Sequence, residues 1–211
     1  MRERESLTIV KLGGSFAFSP HLMTWIEALS TCAGQVAVVP GGGPFADTVR
    51  AAQAKIGFDD RAAHHMALLA MEQFGCALVS LGEKFVLASS TDAIRRALFE
   101  DKVPVWSPTQ MVLAAEDIPA SWDVTSDSLA LWLSGQLGAA DVILVKQRGI
   151  AEAGTAGKKL TAAALVDRAF QQFLAALSAR VSLAGANDHY AVVDAVRNGT
   201  TAGAPFGRVM V

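Results

Sequence analysis

Twice within its first sixty residues the chain passes from a β-branched apolar stretch into consecutive glycines and on into an amphipathic segment. "TIVKLGGSF", Thr8 to Phe16, is the first case and "VVPGGGPFADTVR", Val38 to Arg50, the second. A strand that feeds a helix through a short turn, and does so again at once, predicts parallel strands joined by crossover helices, because parallel neighbours cannot be joined by a hairpin. Glycine is costly to order, so a run of it marks either a tight turn or a place where backbone N–H groups come close to something else.

The same rhythm continues along the chain. Ser19 is placed to cap a first helix with Pro20 at its first position and Gly34 at its end. Gln35 to Val39 is the second strand, and "FADTVRAAQAKIG" a helix ended by Gly57. Asp59 and Asp60 offer caps for a third helix through "RAAHHMALLAMEQFG", apolar enough to predict burial between the sheet and a neighbour such as a second subunit. "KFVLASS" reads as a strand, "TDAIRRALFEDK" as a helix, and "VPVWSPTQMVL" as an extended stretch broken by prolines. Thr125 or Ser126 caps a helix to about Leu137, Gly138 ends it, and Val142 to Lys146 is a buried strand. "TAAALVDRAFQQFLAAL" and "DHYAVVDAVRN" are helical; "RVSLAG" and "GRVMV" are strands. Near-continuous apolar strands alternating with helices predict an α/β fold, a three-layer sandwich around a mainly parallel sheet, with residues 1–211 forming a single domain.

Hydrophobic residues make up 52% of the 211 and charged ones 18%, enough apolar material for a sizeable core. The formal net charge of −2 leaves no basic footprint, so nucleic acid is not the expected partner. No apolar run approaches the roughly 18 residues that cross a bilayer, and the charged start "MRERES" followed by Lys11 excludes a secretory h-region. Two cysteines, Cys32 and Cys76, without metal-clip spacing, fit a reducing cytoplasm and small core positions.

In an open parallel sheet ligands bind beyond the carboxyl ends of the strands, and both glycine turns fall there. Successive glycine N–H groups can form a concavity for phosphate oxygens that a side chain would block. Lys11, at the end of a buried strand, is costly to place unless it meets an anion. "DVTSDS" carries Asp123 and Asp127 four residues apart, a spacing that puts both on one helix face. They either cap that helix and complement its dipole, or Asp127 orients Lys11 and a second lysine around a transferring phosphoryl group while Asp123 holds ligand or metal-bound water. Lys146 supplies the second lysine from another strand end, with Lys158 and Lys159 as rivals. Neither turn is G-x-x-x-x-G-K-[ST] or G-x-G-x-x-G. His64 and His65 are adjacent on a helix and point apart, which argues against a metal site. G-x-S-x-G is absent, so hydrolase chemistry has little support.

These elements together resemble the amino acid kinase family, which includes acetylglutamate, uridylate, aspartate and isopentenyl phosphate kinases. "VKLGGS", "PGGGP", "DVTSDSLALWLSGQLGAADVILVKQRG" and "NGTTAGAPFGRVMV" follow that family's order over nearly the whole chain. The resemblance implies an ATP-dependent phosphotransferase using Mg²⁺, with ATP on the C-terminal half and a small-molecule phosphoryl acceptor on the "PGGGP" side. It implies Lys11 as phosphate-binding lysine, Gly13, Gly14 and Ser15 as the first phosphate cradle, and Gly41, Gly42 and Gly43 as the acceptor loop. Asp127 is the organiser, and Lys146 and Gly149 of "KQRG" stand on the nucleotide side where the family has D-x-x-G. Asp123 stands where acetylglutamate kinases have asparagine. Within the family, "PGGGPFADTVR", "DDRAAHHMALLAME" and "WDVTSDSLA" look most like the kinases of methanofuran biosynthesis, whose acceptor, an aminomethylfuran methyl phosphate, carries an ammonium that Asp59, Asp60 or Asp123 could neutralise. Isopentenyl phosphate, acylamino acid and nucleoside monophosphate acceptors, or a non-catalytic nucleotide- or oxyanion-binding subunit, are the alternatives. A cytoplasmic homo-oligomer, dimer or higher, is expected, with no nucleic-acid or membrane partner.

Overall fold

The computed structural model describes residues 6–147 and 165–205. Strand β1 (Thr8–Leu12) ends in a 3-10 turn, Gly14–Phe18, before α1 (Leu22–Ser30). Then come β2 (Val36–Pro40), α2 (Gly43–Ile56), α3 (Asp60–Leu81), β3 (Phe85–Ala88), α4 (Thr91–Phe99), β4 (Val103–Trp106) and α5 (Thr109–Leu113). The second half contributes α6 (Ser126–Leu137), β5 (Asp141–Val145), α7 (Phe170–Ala175), β6 (Arg180–Ala184), α8 (His189–Asn198) and β7 (Ala204–Pro205).

The strands lie in the order β3-β4-β2-β1-β5-β6-β7, with β7 antiparallel to β6 and all other pairings parallel. This is the α/β sandwich with a mainly parallel sheet expected from the alternation. Strand β1 is central: Lys11 is in register with Val39 of β2 on one side and Leu144 of β5 on the other. The chain runs outward from β1 in both directions, so the crevice at its carboxyl end is the switch point where open sheets bind ligands.

Period-two alternation sorts the central strands between two cores. Ile9, Val39, Val142 and Leu144 pack with Leu129 and Leu133 of α6 and Phe170 of α7. Val10, Leu12, Val36, Ile143 and Val145 pack with Trp25 and Leu29 of α1 and Val192 of α8. The indole of Trp25 donates to the Ala186 carbonyl at 2.9 Å, fastening α1 to the β6–α8 turn.

Several local expectations are corrected. Helix α1 starts at Leu22, because Ser19 ends the 3-10 turn and its Oγ accepts from the His21 N–H. "VPVWSPTQMVL" divides into β4 and α5 rather than staying extended, the break falling at Ser107-Pro108. The helix expected from residue 161 is described only as the short α7, and the "GRVMV" strand, Lys158, Lys159 and Gly149 lie outside the described residues. Helix α3 is not covered all round: Ala63, Leu68, Met71, Phe74 and Leu78 face the core while Met66, Leu69 and Leu81 are exposed. Cys32 is buried, and burial raises its thiol pKa, but Cys76 falls on the exposed side of α3 and is not a core residue.

Candidate active site

Alternation along β1 puts Lys11 on the same side of the sheet as Ile9, and along β5 it puts Lys146 on the side of Val142 and Leu144. That side is covered by α6, whose first turn carries Asp127. The three side chains meet: Lys11 Nζ lies 2.8 Å from Asp127 Oδ1 and Lys146 Nζ donates to Oδ2 at 2.6 Å. All three are nearly enclosed, with side-chain exposures of 6%, 7% and 14% for Lys11, Asp127 and Lys146. Burial opposes ionisation of Asp127, but the Lys11 and Lys146 ammoniums outweigh it and hold its carboxyl below the usual range. Lys146 moves the other way: burial, then repulsion from Lys11, brings its ammonium down to about 8 against the pull of Asp127. Two cations on one carboxylate leave an excess positive charge at the end of the two strands, which a polyanion would complete.

The helix start that carries Asp127 is held by a residue that nothing in its sequence neighbourhood announces. Thr125 is the N-cap of α6, yet its own side chain makes no capping bond. Asp167 Oδ2 instead accepts from the Thr125 N–H and hydroxyl, both at 2.8 Å, and from the Ser128 N–H at 3.1 Å, while Oδ1 takes the Ser128 hydroxyl. A carboxylate supplied by a remote segment thus satisfies the helix start. Asp123, expected to share a helix face with Asp127, precedes the helix by three residues; its exposed carboxylate pairs with Arg168 at 3.3 Å.

The two glycine turns are pressed against each other. A Cβ on Gly14 would lie 2.0 Å from the Gly43 nitrogen, one on Gly43 2.2 Å from the Gly14 carbonyl oxygen, and one on Gly41 2.3 Å from the Gly14 nitrogen. Gly43 also has a positive φ of 49°. Glycine is therefore required at these positions by the other loop, before any ligand is considered. Gly13 is beside the charged centre: a Cβ there would lie 3.8 Å from Lys11 Nζ and 3.6 Å from Ser15 Oγ. Only the second turn opens directly into an α-helix; the first enters the 3-10 turn, with Ser15 exposed.

A cavity of about 190 Å³ lies against these turns, bounded by Gly14, Gly42 and Gly43, by α2 and α3, and by the segment from Trp122 to Leu129. Its polar side chains include Asp47 and Arg50 of α2, which the motifs do not mark, and His64 of α3, which the sequence marks only as a metal-ligand candidate. Arg50 lies 4.2 Å over the Trp122 ring and donates to Asp47 Oδ1 at 3.0 Å. The Trp122 indole donates to Gln53 Oε1 at 2.7 Å, and Gln53 Nε2 to Asp60 Oδ1 at 2.9 Å. Burial lowers the His64 pKa, assisted by His65 and opposed by a backbone hydrogen bond at Ser121, so the ring is neutral near pH 7. One signal was present: Asp47 and Arg50 stand four and seven residues after Gly43, one face of the helix that the glycine turn opens. Asp59, Asp60 and Asp123 do not line the cavity. Asp59 caps α3 by accepting from the Ala62 N–H at 2.8 Å, and Asp60 acts on the cavity only through Gln53 and Trp122.

The described residues contain no group of three or more His, Cys, Asp or Glu placed to hold a metal ion. Both Asp127 oxygens are already engaged by ammonium groups, so the carboxylate here is not part of a side-chain cage for Mg²⁺. No helix among the described residues is long and apolar enough to cross a membrane.

The glycine turns and the Lys11–Asp127–Lys146 group are thus gathered at the switch point of a mainly parallel α/β sheet, where such sheets bind ligands. The chain belongs to the amino acid kinase family, whose model matches residues 6–199. It is 28% identical over 141 residues to [5-(aminomethyl)furan-3-yl]methyl phosphate kinase of Methanocaldococcus jannaschii, a match spanning 64% of this chain and 63% of that relative's length. Among solved structures it resembles uridylate kinase from Archaeoglobus fulgidus (TM-score 0.69, 14% identity, 95% of this chain and 100% of that one). UMP kinase from Bacillus anthracis is similar at TM-score 0.70 and 11% identity, over 99% of this chain and 98% of that one. At those identities the two structures bear on the fold.

Proposed function

We propose that this chain transfers the γ-phosphoryl group of ATP to a small acceptor that already carries a phosphate, [5-(aminomethyl)furan-3-yl]methyl phosphate, forming the corresponding diphosphate and ADP. The observation that carries the reading is the buried Lys11–Asp127–Lys146 group at the carboxyl ends of β1 and β5, next to a cavity bounded by the second glycine turn. An acceptor phosphate oxygen forms the new bond to the γ-phosphorus as the bond to the β,γ-bridging oxygen breaks and ADP leaves. That oxygen is already anionic near neutral pH, so no general base is required. Asp127 is not one: its carboxyl is held ionised and both oxygens are occupied. Its role is to hold Lys11 and Lys146 where negative charge accumulates. Mg²⁺ would be held by the nucleotide's phosphates, where it would supply further neutralisation of their charge beside Lys11 and Lys146.

The name of the M. jannaschii relative supports this acceptor, and so does size. At about 190 Å³, the cavity is near the roughly 150 Å³ that holds a single benzene ring and below the roughly 300 Å³ at which drug-sized sites begin. A furan ring fits within that volume. The N-terminal half then binds the acceptor and the C-terminal half the nucleotide, with Gly13, Gly14 and Ser15 between them. Exposed Met66, Leu69 and Leu81 on α3 support the expectation of a homo-oligomer.

The test is ADP release with ATP and Mg²⁺ over a panel of [5-(aminomethyl)furan-3-yl]methyl phosphate, UMP, isopentenyl phosphate and an acylamino acid. Turnover favouring the furan acceptor is expected. A preference for any other acceptor overturns the substrate, and ATP binding without ADP release on the whole panel overturns catalysis.

A further inference from the structure

The reacting end of the acceptor is placed by the glycine turns, since its phosphate must approach the charge centre at Lys11. What reads the opposite end is decided by α2, which leads away from that point. Asp47 and Arg50 follow Gly43 at four and seven residues, about 6 Å and 10 Å along the helix axis, and both line the cavity. Resting on the acceptor reading above, we infer that Asp47 is the specificity-determining residue for the acceptor's ammonium group, with Arg50 and Trp122 as the positioning residues that hold its carboxylate toward the cavity.

Three observations carry this. Asp47 is the one carboxylate lining the cavity among the described residues, whereas Asp59, Asp60 and Asp123 are committed to a helix cap, to Gln53 and to Arg168. The contact from Arg50 engages Oδ1 and leaves Oδ2 without a partner among the described residues. Arg50 is fixed in turn by stacking 4.2 Å over Trp122, which Gln53 anchors by its indole N–H, so the carboxylate is oriented before the ligand arrives.

The experiment compares [5-(aminomethyl)furan-3-yl]methyl phosphate with its hydroxymethyl counterpart, which keeps ring and phosphate but carries no charge at the far end. Wild-type kcat/KM should favour the amine, and D47N should lower kcat/KM for the amine by roughly 10- to 100-fold, the worth of a charge-assisted hydrogen bond. The loss should lie in KM, with kcat within about threefold, as expected for an interaction equal in ground and transition states. The preference for the amine should collapse in D47N. Asp47 has 72% of its side chain exposed, so an unchanged melting temperature is expected, and D47E, which retains the charge, should recover part of the preference. Equal use of both acceptors by the wild type overturns the inference and leaves the acceptor class standing, as does a preference that survives in D47N or is lost instead in D59N or D123N. A wild type inactive on both compounds overturns the acceptor reading itself.

Discussion

A Cβ on Gly14 would stand 2.0 Å from the backbone nitrogen of Gly43, so the two glycine turns of the chain are each other's nearest obstacle. Residues twenty-nine apart in sequence share one close backbone contact, and through it the second glycine turn is registered against the strand that carries Lys11. Because the obstructing atom is backbone, Gly14→Ala must displace a loop rather than a rotamer. It is expected to cost about 3 kcal/mol of stability or more and to abolish turnover, as measured by urea unfolding and ADP release. Gly135, inside α6 with open space around it, is the contrast: Gly135→Ala should stabilise by about 0.5–1 kcal/mol with unchanged activity.

Removing either member of the charged pair from β1 and α6 should separate chemistry from folding. Lys11→Ala leaves Asp127 still paired with Lys146, and kcat should fall roughly 100- to 1000-fold, the scale for losing one preorganised charge contact to a transition state. Asp127→Asn should be as inactive but also less stable, by about 3–5 kcal/mol, since it leaves two buried ammoniums facing a neutral group. Single-turnover rates and thermal melts distinguish the two outcomes.

Lys146 is expected to make activity sensitive to alkaline pH. Its folded pKa is about 8, below the ordinary 10.5, so kcat/KM should decline as pH rises through about 8 and the ammonium is lost. Lys146→Arg should be slower but free of that decline, because a guanidinium stays protonated. Stability moves in the opposite direction. Between about 8 and 10.5 the unfolded chain holds the proton that the folded one has released, so this group's contribution grows more favourable as pH rises across that window. Parallel pH profiles of kcat/KM and of urea midpoint for wild type and K146R check both signs.

Asp167→Ala should act on the site from outside it. Four donors at the start of α6, two backbone and two hydroxyl, lose their acceptor, at a cost of about 1–3 kcal/mol. Asp127 sits in that first turn, so kcat should fall as well, while Asp123→Ala, removing only an exposed pairing with Arg168, should change stability by less than about 0.5 kcal/mol. Denaturant titration of both variants tests the assignment of the cap.

Legibility in the sequence followed distance along the chain. Strand β1 with Lys11 at its end, the glycine turn before α2, the cap at Asp59 and the left-handed stops at Gly57 and Gly138 all agree with their local patterns. Asp127 was legible as the first turn of a helix and Lys146 as the end of a strand. Where the local pattern misled, a neighbour intervened: the Gly13-Gly14 turn does not open an α-helix because Gly14 is packed on Gly43, and Asp123 never joins the helix that Asp167 starts.

Periodicity and turn chemistry by themselves determined the layered α/β architecture and put a lysine at the end of a buried strand, because each depends on residues within a few positions of one another. Only the tertiary structure decided that Lys11 and Lys146 share one carboxylate, that the glycines serve each other first, that Asp167 caps α6, and that Asp47, Arg50 and Trp122 rather than Asp59, Asp60 and Asp123 face the cavity. Those relations join residues that only the strand order and the packing of α2, α3 and α6 bring together, and a buried charge takes its state from that company and not from its sequence neighbours.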